Sequence, residues 1–323
     1  FRMYNLLYSI YFKCSKLWMS KNSFLTTLIF KSVSAFTQIY LNLIYKNLLR
    51  YNSRKLINNK KHSPEIIVSL TTFPQRIETV WITIETIFNQ TFQPDRIILW
   101  LAYEQFPNRL KSLPKKLLDQ QKRGLEIKFC EDYKSHKKYY FSMKENPESI
   151  IITIDDDVFY PKDTIQNLMT LHYKYPTSVI CNSAEEISDD FYTIPSLWHS
   201  PHFNHINNLY GKCRILGISG ILYPPHSLHE LTFDVELRKK LCPWADDLWL
   251  TIMALINGSN VIRYEFRSNP LDIKGTQSMN LSRGKDMGYD VTQGLSNDEQ
   301  WINLTSYFKK QLEVIFKQKR TCN

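Results

Sequence analysis

Three consecutive carboxylates follow an apolar run in Ile151-Ile152-Thr153-Ile154-Asp155-Asp156-Asp157-Val158-Phe159-Tyr160-Pro161. Neighbouring carboxylates repel one another and lose hydration where a chain emerges from a core. A hard divalent cation resolves that conflict through its preference for carboxylate oxygen. The i, i+2 spacing of Asp155 and Asp157 sends both side chains the same way from an extended backbone. Mn²⁺ or Mg²⁺ held there would bridge two phosphates and neutralise a departing diphosphate. The competing reading is a solvated acidic turn. A D-x-D-x-[T/V] phosphatase is excluded, because Phe159 stands where that pattern needs Thr or Val.

A second acidic pair lies in Pro243-Trp244-Ala245-Asp246-Asp247-Leu248-Trp249-Leu250, at the start of an apolar helical pattern. Negative charge in a first helical turn is favoured by the helix dipole, which alone would account for Asp246 and Asp247. One of them beside a pocket would also serve as general base on an attacking hydroxyl, with Trp244 and Trp249 offering faces to a sugar ring. Between the two acidic stretches, Gly217-Ile218-Ser219-Gly220-Ile221-Leu222-Tyr223 is a tight glycine pair in a chain with only 9 glycines. Such a pair lets backbone approach a ligand closely, with Gly220 the candidate contact, or simply forms a turn.

Further upstream, Thr71-Thr72-Phe73-Pro74-Gln75-Arg76 follows an apolar run. Thr71, Thr72 and Arg76 suit a nucleotide base, ribose or phosphate, or else belong to an ordinary connection that caps the next helix. Lys137 or Lys138 is placed to reach phosphate, or to begin a solvated helix. His199, His202 and His205 stand three apart without Cys or acidic partners, and His226 and His229 follow the glycine pair. Ser296-Asn297-Asp298-Glu299-Gln300-Trp301 orders a loop over a ligand or caps a helix.

The elements that must position these groups alternate. Apolar runs predict strands over 66–70, 96–101, 126–130, 150–154 and 178–181. Helical patterns cover 80–89, 136–144, 161–175 and 248–256. Strand–helix alternation predicts an α/β domain with a mainly parallel sheet flanked by helices. Ligands in such sheets bind beyond the carboxyl ends of the strands, where the Thr, Arg and Asp clusters fall.

The charge is asymmetric. Residues 1–62 hold 11 Lys and Arg and no Asp or Glu, whereas the chain as a whole carries +10. The body from residue 63 is therefore close to neutral, which argues against nucleic-acid binding. The expected division is a basic amphipathic helical extension over 1–62 and a catalytic domain over 63–323. The longest charge-free run in the extension is the 14 residues from Ser32 to Tyr45, short of the roughly 20 a spanning helix needs. That favours helices lying on an anionic membrane surface, the alternative being a hairpin packed on the body. No small-residue cleavage site follows the apolar stretch, so a signal peptide is not expected. The six cysteines are scattered without a C-x-x-C pair and read as small buried hydrophobes in a reducing compartment.

In order and chemistry, IDDDVF, GISGILY and WADDLWL resemble GT-A-fold glycosyltransferases of the β-1,3-galactosyl- and Fringe-like kind. VSLTTFPQRI is similar to bacterial enzymes that build capsule, O-antigen or lipopolysaccharide. The resemblance covers roughly residues 64–265. It implies a GT-A, Rossmann-like domain and a hexosyltransferase that uses a nucleotide-sugar donor, a UDP-sugar first, and a glycan or lipid-linked acceptor. Asp155 and Asp157 would hold Mn²⁺ or Mg²⁺, and Asp156 would lie near the ribose or sugar. Asp247 would be the base of an inverting transfer, with Asp246 as fallback. Its place would be cytoplasmic, peripheral on the inner face of a bacterial plasma membrane. Many such enzymes add a metal ligand near the C-terminus, often His. No His follows His229 here, leaving Asn297, Asp298 or water. The alternatives are another metal-dependent phosphoryl or nucleotidyl transferase and a non-catalytic membrane-surface binding protein on the same fold. A Walker loop is missing, and a glycosidase would not need the Asp triplet.

Overall fold

A computed structural model describes residues 2–21, 23–49, 62–187, 190–198, 213–263, 270–276 and 295–317. It is an α/β protein whose seven-stranded, mainly parallel sheet is flanked by helices, with a helical hairpin at the N-terminus. The strands are β1 (Ile66–Thr71), β2 (Arg96–Ala102), β3 (Leu125–Cys130), β4 (Ile150–Thr153), β5 (Val158–Phe159), β6 (Val179–Cys181), β7 (Ala184–Glu186), β8 (Cys213–Ile215), β9 (Ile221–Tyr223), β10 (Val261–Arg263) and β11 (Leu271–Asp272). The hairpin is α1 (Arg2–Lys21) and α2 (Phe24–Tyr40), the latter running through a π-helical turn into α3 (Lys46–Leu49). The body adds α4 (Val80–Phe88), α5 (Lys115–Gln121), α6 (Lys137–Glu145), α7 (Thr164–Lys174), α8 (Val235–Leu241), α9 (Asp246–Ile256), α10 (Asn297–Tyr307) and α11 (Lys309–Lys317).

The central strands are apolar on both faces because helices cover both. Ile66, Val68 and Leu70 of β1 join one core cluster, and Ile67 joins the other. The same alternation repeats in β2, where Ile97, Leu99 and Leu101 oppose Ile98 and Trp100. Ser69, the polar interruption of β1, is buried but satisfied by the Ser142 hydroxyl at 2.7 Å, which also accepts from Trp100 Nε1 at 2.7 Å.

Sheet order is β10-β6-β9-β4-β1-β2-β3. Every neighbouring pair is parallel except those of β9, which runs antiparallel to β4 and β6. The chain builds outward from β1 through β2 to β3, then returns to place β4 on the other side of β1. This reversal makes the carboxyl ends of β1 and β4 the crevice where such sheets take ligands. Thr153 pairs with Ile221, so the reversed β9 brings its own beginning, the 217–220 turn, to that same edge. The sequence reading had a glycine loop here and missed the strand, because three apolar residues after a turn carry too little periodicity to register.

Packing does not divide at residue 62. Tyr4, Leu7, Tyr8, Tyr11, Leu41 and Tyr45 belong to the same cluster as Val68 and Leu99. The Tyr4 and Tyr8 hydroxyls donate to the carbonyls of Tyr160 and Phe159. From α2, Gln38 Nε2 donates to the Asp272 carbonyl at 2.6 Å, and from the π-helical turn after it Asn42 Oδ1 accepts from the Lys274 N–H at 2.7 Å. Of the two readings of the extension, the inner face is therefore a packed hairpin. Its outer face is apolar and exposed, and Phe24–Tyr45, at 22 residues, is long and apolar enough by length and composition to cross a membrane. The charge-free count had stopped at Lys31, which the helix runs through. Cys130, Cys181, Cys213 and Cys242 are buried.

Candidate active site

The acidic turn begins where β4 ends. Thr153 is the last paired residue, and the chain bends at Asp156 and Asp157 before re-entering the short β5. That bend breaks the alternation expected of an extended run, so the three carboxylates reach different partners. Arg76, delivered by the turn after β1, is buried and donates Nη1 to Asp156 Oδ1 at 2.7 Å, with Asp157 Oδ2 at 3.0 Å. Its Nη2 donates to the Thr276 carbonyl at 3.0 Å, and the Thr72 hydroxyl donates to Asp156. Thr71 takes no part in this cluster; its hydroxyl donates to the Trp100 carbonyl at 2.9 Å, across the β1–β2 pair.

Asp155 turns the other way. Its Oδ1 accepts from Lys138 Nζ at 2.8 Å, and the same ammonium lies 2.8 Å from Asp246 Oδ2. Lys138 comes from the first turn of α6, while its neighbour Lys137 is spent on Asp132 at 2.6 Å. Burial favours the neutral form of Lys138, but the carboxylates of Asp155, Asp246 and Asp247 outweigh it and hold the ammonium charged. The backbone before Asp246 is clamped. Gln300 Oε1 on α10 accepts from the N–H groups of Trp244 and Ala245 at 2.9 and 3.1 Å, and Ser135 donates to the Trp244 carbonyl at 2.7 Å.

Asp247 is the most informative of these groups. Its Oδ2 accepts from the Gly217 N–H at 3.0 Å, rather than from its own helix. Its Oδ1 is buried and has no hydrogen-bond partner among the described residues, although the residue as a whole keeps part of its surface open. Burial, and next the Asp246 carboxylate, push the Asp247 carboxyl up to about 7, against the pull of Lys138 and the Gly217 N–H. A carboxyl titrating near neutrality is matched to proton transfer. Asp157 is raised in the same way by burial and then by Asp156, with Arg76 opposing.

Gly217, rather than Gly220, stands next to these charges. A Cβ at Gly217 would lie 3.0 Å from Asp247 Oδ1, 3.1 Å from Lys138 Nζ and 3.3 Å from Asp155 Oδ1. Three charged atoms thus surround one point that only a missing side chain keeps open. At Gly220 a Cβ would meet Leu168, Thr164 and Ile154 at ordinary contact, and its φ of +87° is what calls for glycine. Gly217→Ala is therefore expected to lower activity at least about tenfold with little change in melting temperature, because the atoms its methyl group would displace are the ends of side chains rather than backbone. Gly220→Ala should instead cost about 1–2 kcal/mol of stability through its left-handed backbone and keep its turnover. Steady-state kinetics and thermal melting of the two variants separate these outcomes.

Sequence reasoning missed Asp272 as well as Gly217. Asp272 sits on β11, which pairs antiparallel with β5, and the Ile273 N–H donates to the Asp157 carbonyl at 2.8 Å. Burial raises its carboxyl, with Arg76 opposing. No local signal marks it, since it is brought in from more than a hundred residues away. Trp249, read as a possible sugar platform, is fully buried and donates Nε1 to the Thr232 carbonyl; Trp244 remains partly exposed beside Lys134. His226 forms an exposed pair with Glu148, and His229 caps its own turn. Ser296 and Glu299 form a capping box, and Asp298 accepts from the Ser196 N–H. His199, His202 and His205 lie outside the described residues.

Whether these residues suit a divalent cation follows from charge. Asp155, Asp156, Asp157, Asp246, Asp247 and Asp272 are set about two cations, Arg76 and Lys138. The excess is negative and is carried by hard carboxylate oxygens, which fits Mn²⁺ or Mg²⁺. Among the described residues no group of three or more His, Cys, Asp or Glu side chains already converges as a cage; the acids are turned toward Arg76 and Lys138.

The sequence matches no family model and no curated protein. Among solved structures it is similar to S. aureus TarS, residues 1–349, at 12% identity and a TM-score of 0.40, over 64% of this chain and 59% of that one. It is also similar to the mannosyltransferase PcManGT from Pyrobaculum calidifontis, in complex with GDP-Man and Mn²⁺, at 11% identity and a TM-score of 0.39, over 87% of this chain and 82% of that one. At those scores neither likeness bears on the chemistry of this chain.

Proposed function

We propose that the chain is a glycosyltransferase of the GT-A kind. It would move a sugar from a nucleotide-sugar, a UDP-sugar first, to a hydroxyl of a glycan or lipid-linked acceptor, as in bacterial surface polysaccharide synthesis. The observation that carries this reading is Asp247: a carboxylate at the mouth of the β1–β4 crevice, raised toward neutrality, with one buried oxygen unpartnered among the described residues and Lys138 and Asp155 beside it. An acid so placed can accept a proton at neutral pH, and cations at the same edge can face phosphate.

In this reading the acceptor hydroxyl gives its proton to Asp247 Oδ1 as its oxygen bonds to the anomeric carbon. The bond from that carbon to the diphosphate oxygen breaks, and the configuration inverts. The Gly217 N–H fixes the Asp247 carboxylate through its other oxygen. Lys138 neutralises Asp155 and Asp246, so that Asp247 is free to act as base. Arg76 and Thr72 hold Asp156 on the side where base and ribose would lie. A divalent cation, held by Asp155 and Asp157, would supply charge neutralisation to the departing diphosphate.

Release of free nucleotide from UDP-, GDP-, CMP- and dTDP-sugars, with Mn²⁺ or with EDTA, tests the proposal. Metal-dependent release from one donor class is expected, reduced to background in Asp157→Ala. A folded protein that neither cleaves nor binds any of the four donors would remove the proposal.

A further inference from the structure

We propose that the outer face of α2 docks on an anionic lipid bilayer. Leu25, Leu28, Ile29, Phe36, Ile39 and Leu43 recur at helical spacing and are exposed, Leu25 to 63%, Phe36 to 61% and Leu43 to 62%. At about 1.5 Å per residue the stripe from Leu25 to Leu43 runs for nearly 30 Å, an apolar surface that water does not favour. The opposite face is spoken for: Thr26, Thr37, Tyr40 and Leu41 are buried, and Gln38 and Asn42 are hydrogen-bonded to Asp272 and Lys274 of the body.

Charge selects the occupant. Residues 1–62 carry 11 Lys and Arg and no acidic residue, and Lys13, Lys16, Lys21 and Lys31 are exposed on the hairpin. Two copies of such a face repel each other. An anionic leaflet attracts it, by about 1 kcal/mol for each Lys or Arg near the surface, and accepts the apolar stripe at its headgroup boundary. The mode of contact follows from the inner face. A helix surrounded by lipid would have to give up the Gln38 and Asn42 bonds to the body, whereas one lying along the surface keeps them. The hairpin would thus stay clamped to the strands behind the acidic turn and fix the crevice near the lipid surface.

Cosedimentation of the full chain with phosphatidylcholine vesicles, with and without phosphatidylglycerol, tests this without any donor, so its outcome is independent of the transferase reading. Binding is expected with phosphatidylglycerol, weakening as salt rises, and at least about tenfold weaker in the triple variant Leu25→Asp, Phe36→Asp, Leu43→Asp. All three sites are exposed, so the variant should melt with the wild type. Undiminished binding by the folded triple variant would overturn the proposal. So would binding indifferent to both salt and lipid charge. Concentration-dependent self-association that the triple variant abolishes would assign the stripe to a second copy instead.

Discussion

Asp247→Asn is expected to lower the proposed sugar transfer by about 10²–10⁴-fold, the range general-base catalysis supplies, while binding of the proposed donor and the fold are retained. The amide is nearly the same shape, and its oxygen can still accept from the Gly217 N–H that holds Asp247 Oδ2. What is lost is the ability to take a proton. The pH profile makes the prediction specific. With the Asp247 carboxyl at about 7, wild-type kcat/KM should rise with pH through neutrality as the base form accumulates. The residual activity of Asp247→Asn should lack that limb. If the limb persists unchanged in the variant, another group is the base. Stability should respond with a definite sign. The folded-state value lies above the ordinary carboxylate value, so the native state holds a proton that the unfolded state has lost between roughly pH 4 and pH 7. This group's contribution to stability is therefore lost as pH rises through that window, and Asp247→Asn should remove that part of the slope.

Lys138→Met is expected to destabilise the protein by about 3–5 kcal/mol near neutral pH, because it leaves buried carboxylates without their counter-charge. The Nζ of Lys138 lies 2.8 Å from both Asp155 and Asp246, and Asp247 contributes to the field that keeps it charged. With the ammonium gone, the carboxylates repel in a partly dehydrated site, and Asp247, freed from the pull of Lys138, binds its proton more tightly in the folded state. The deficit should narrow as pH falls, since protonation then relieves the repulsion. Denaturant unfolding of both proteins near pH 7 and near pH 5 reads this directly. A deficit that is small, or that widens on acidification, would mean that Lys138 is not the counter-ion of this cluster. The two predictions separate the proposed roles: Asp247→Asn should change turnover with little effect on folding, and Lys138→Met should change both.

The candidate site residues are readable because their signals are local. Three adjacent carboxylates after an apolar strand, a Thr-Arg turn after another and an acidic pair opening a helix are each marked by a few neighbours in sequence. Strand–helix alternation then supplied the α/β class and the edge at which the clusters meet. The choice between Gly217 and Gly220 was not readable. It depends on β9 running antiparallel, which brings Gly217 against Asp247 and leaves Gly220 to accommodate a positive φ. For the hairpin the sequence leaves a membrane-surface helix, the favoured reading, and a hairpin packed on the body both open, although Tyr4, Leu7, Tyr8 and Tyr11 are spaced as a helical stripe. Tyrosines satisfy that pattern at a membrane boundary and in a core alike; only contact with the Tyr160 and Phe159 carbonyls decides it.

By itself, then, the sequence determined which side chains can hold charge, where the longer strands and helices of the α/β alternation lie, and that the basic charge gathers before residue 63. Tertiary structure decided how the charges are shared: Arg76 to Asp156 and Asp157, Lys138 to Asp155 and Asp246, and the Gly217 N–H to Asp247. It also brought Asp272 to the acidic turn through a strand pairing across more than a hundred residues. Hydrophobic pattern and turn chemistry act over a few residues and are written locally. Ion pairing and desolvation act through space, and which groups are neighbours is known only once the chain has closed on itself.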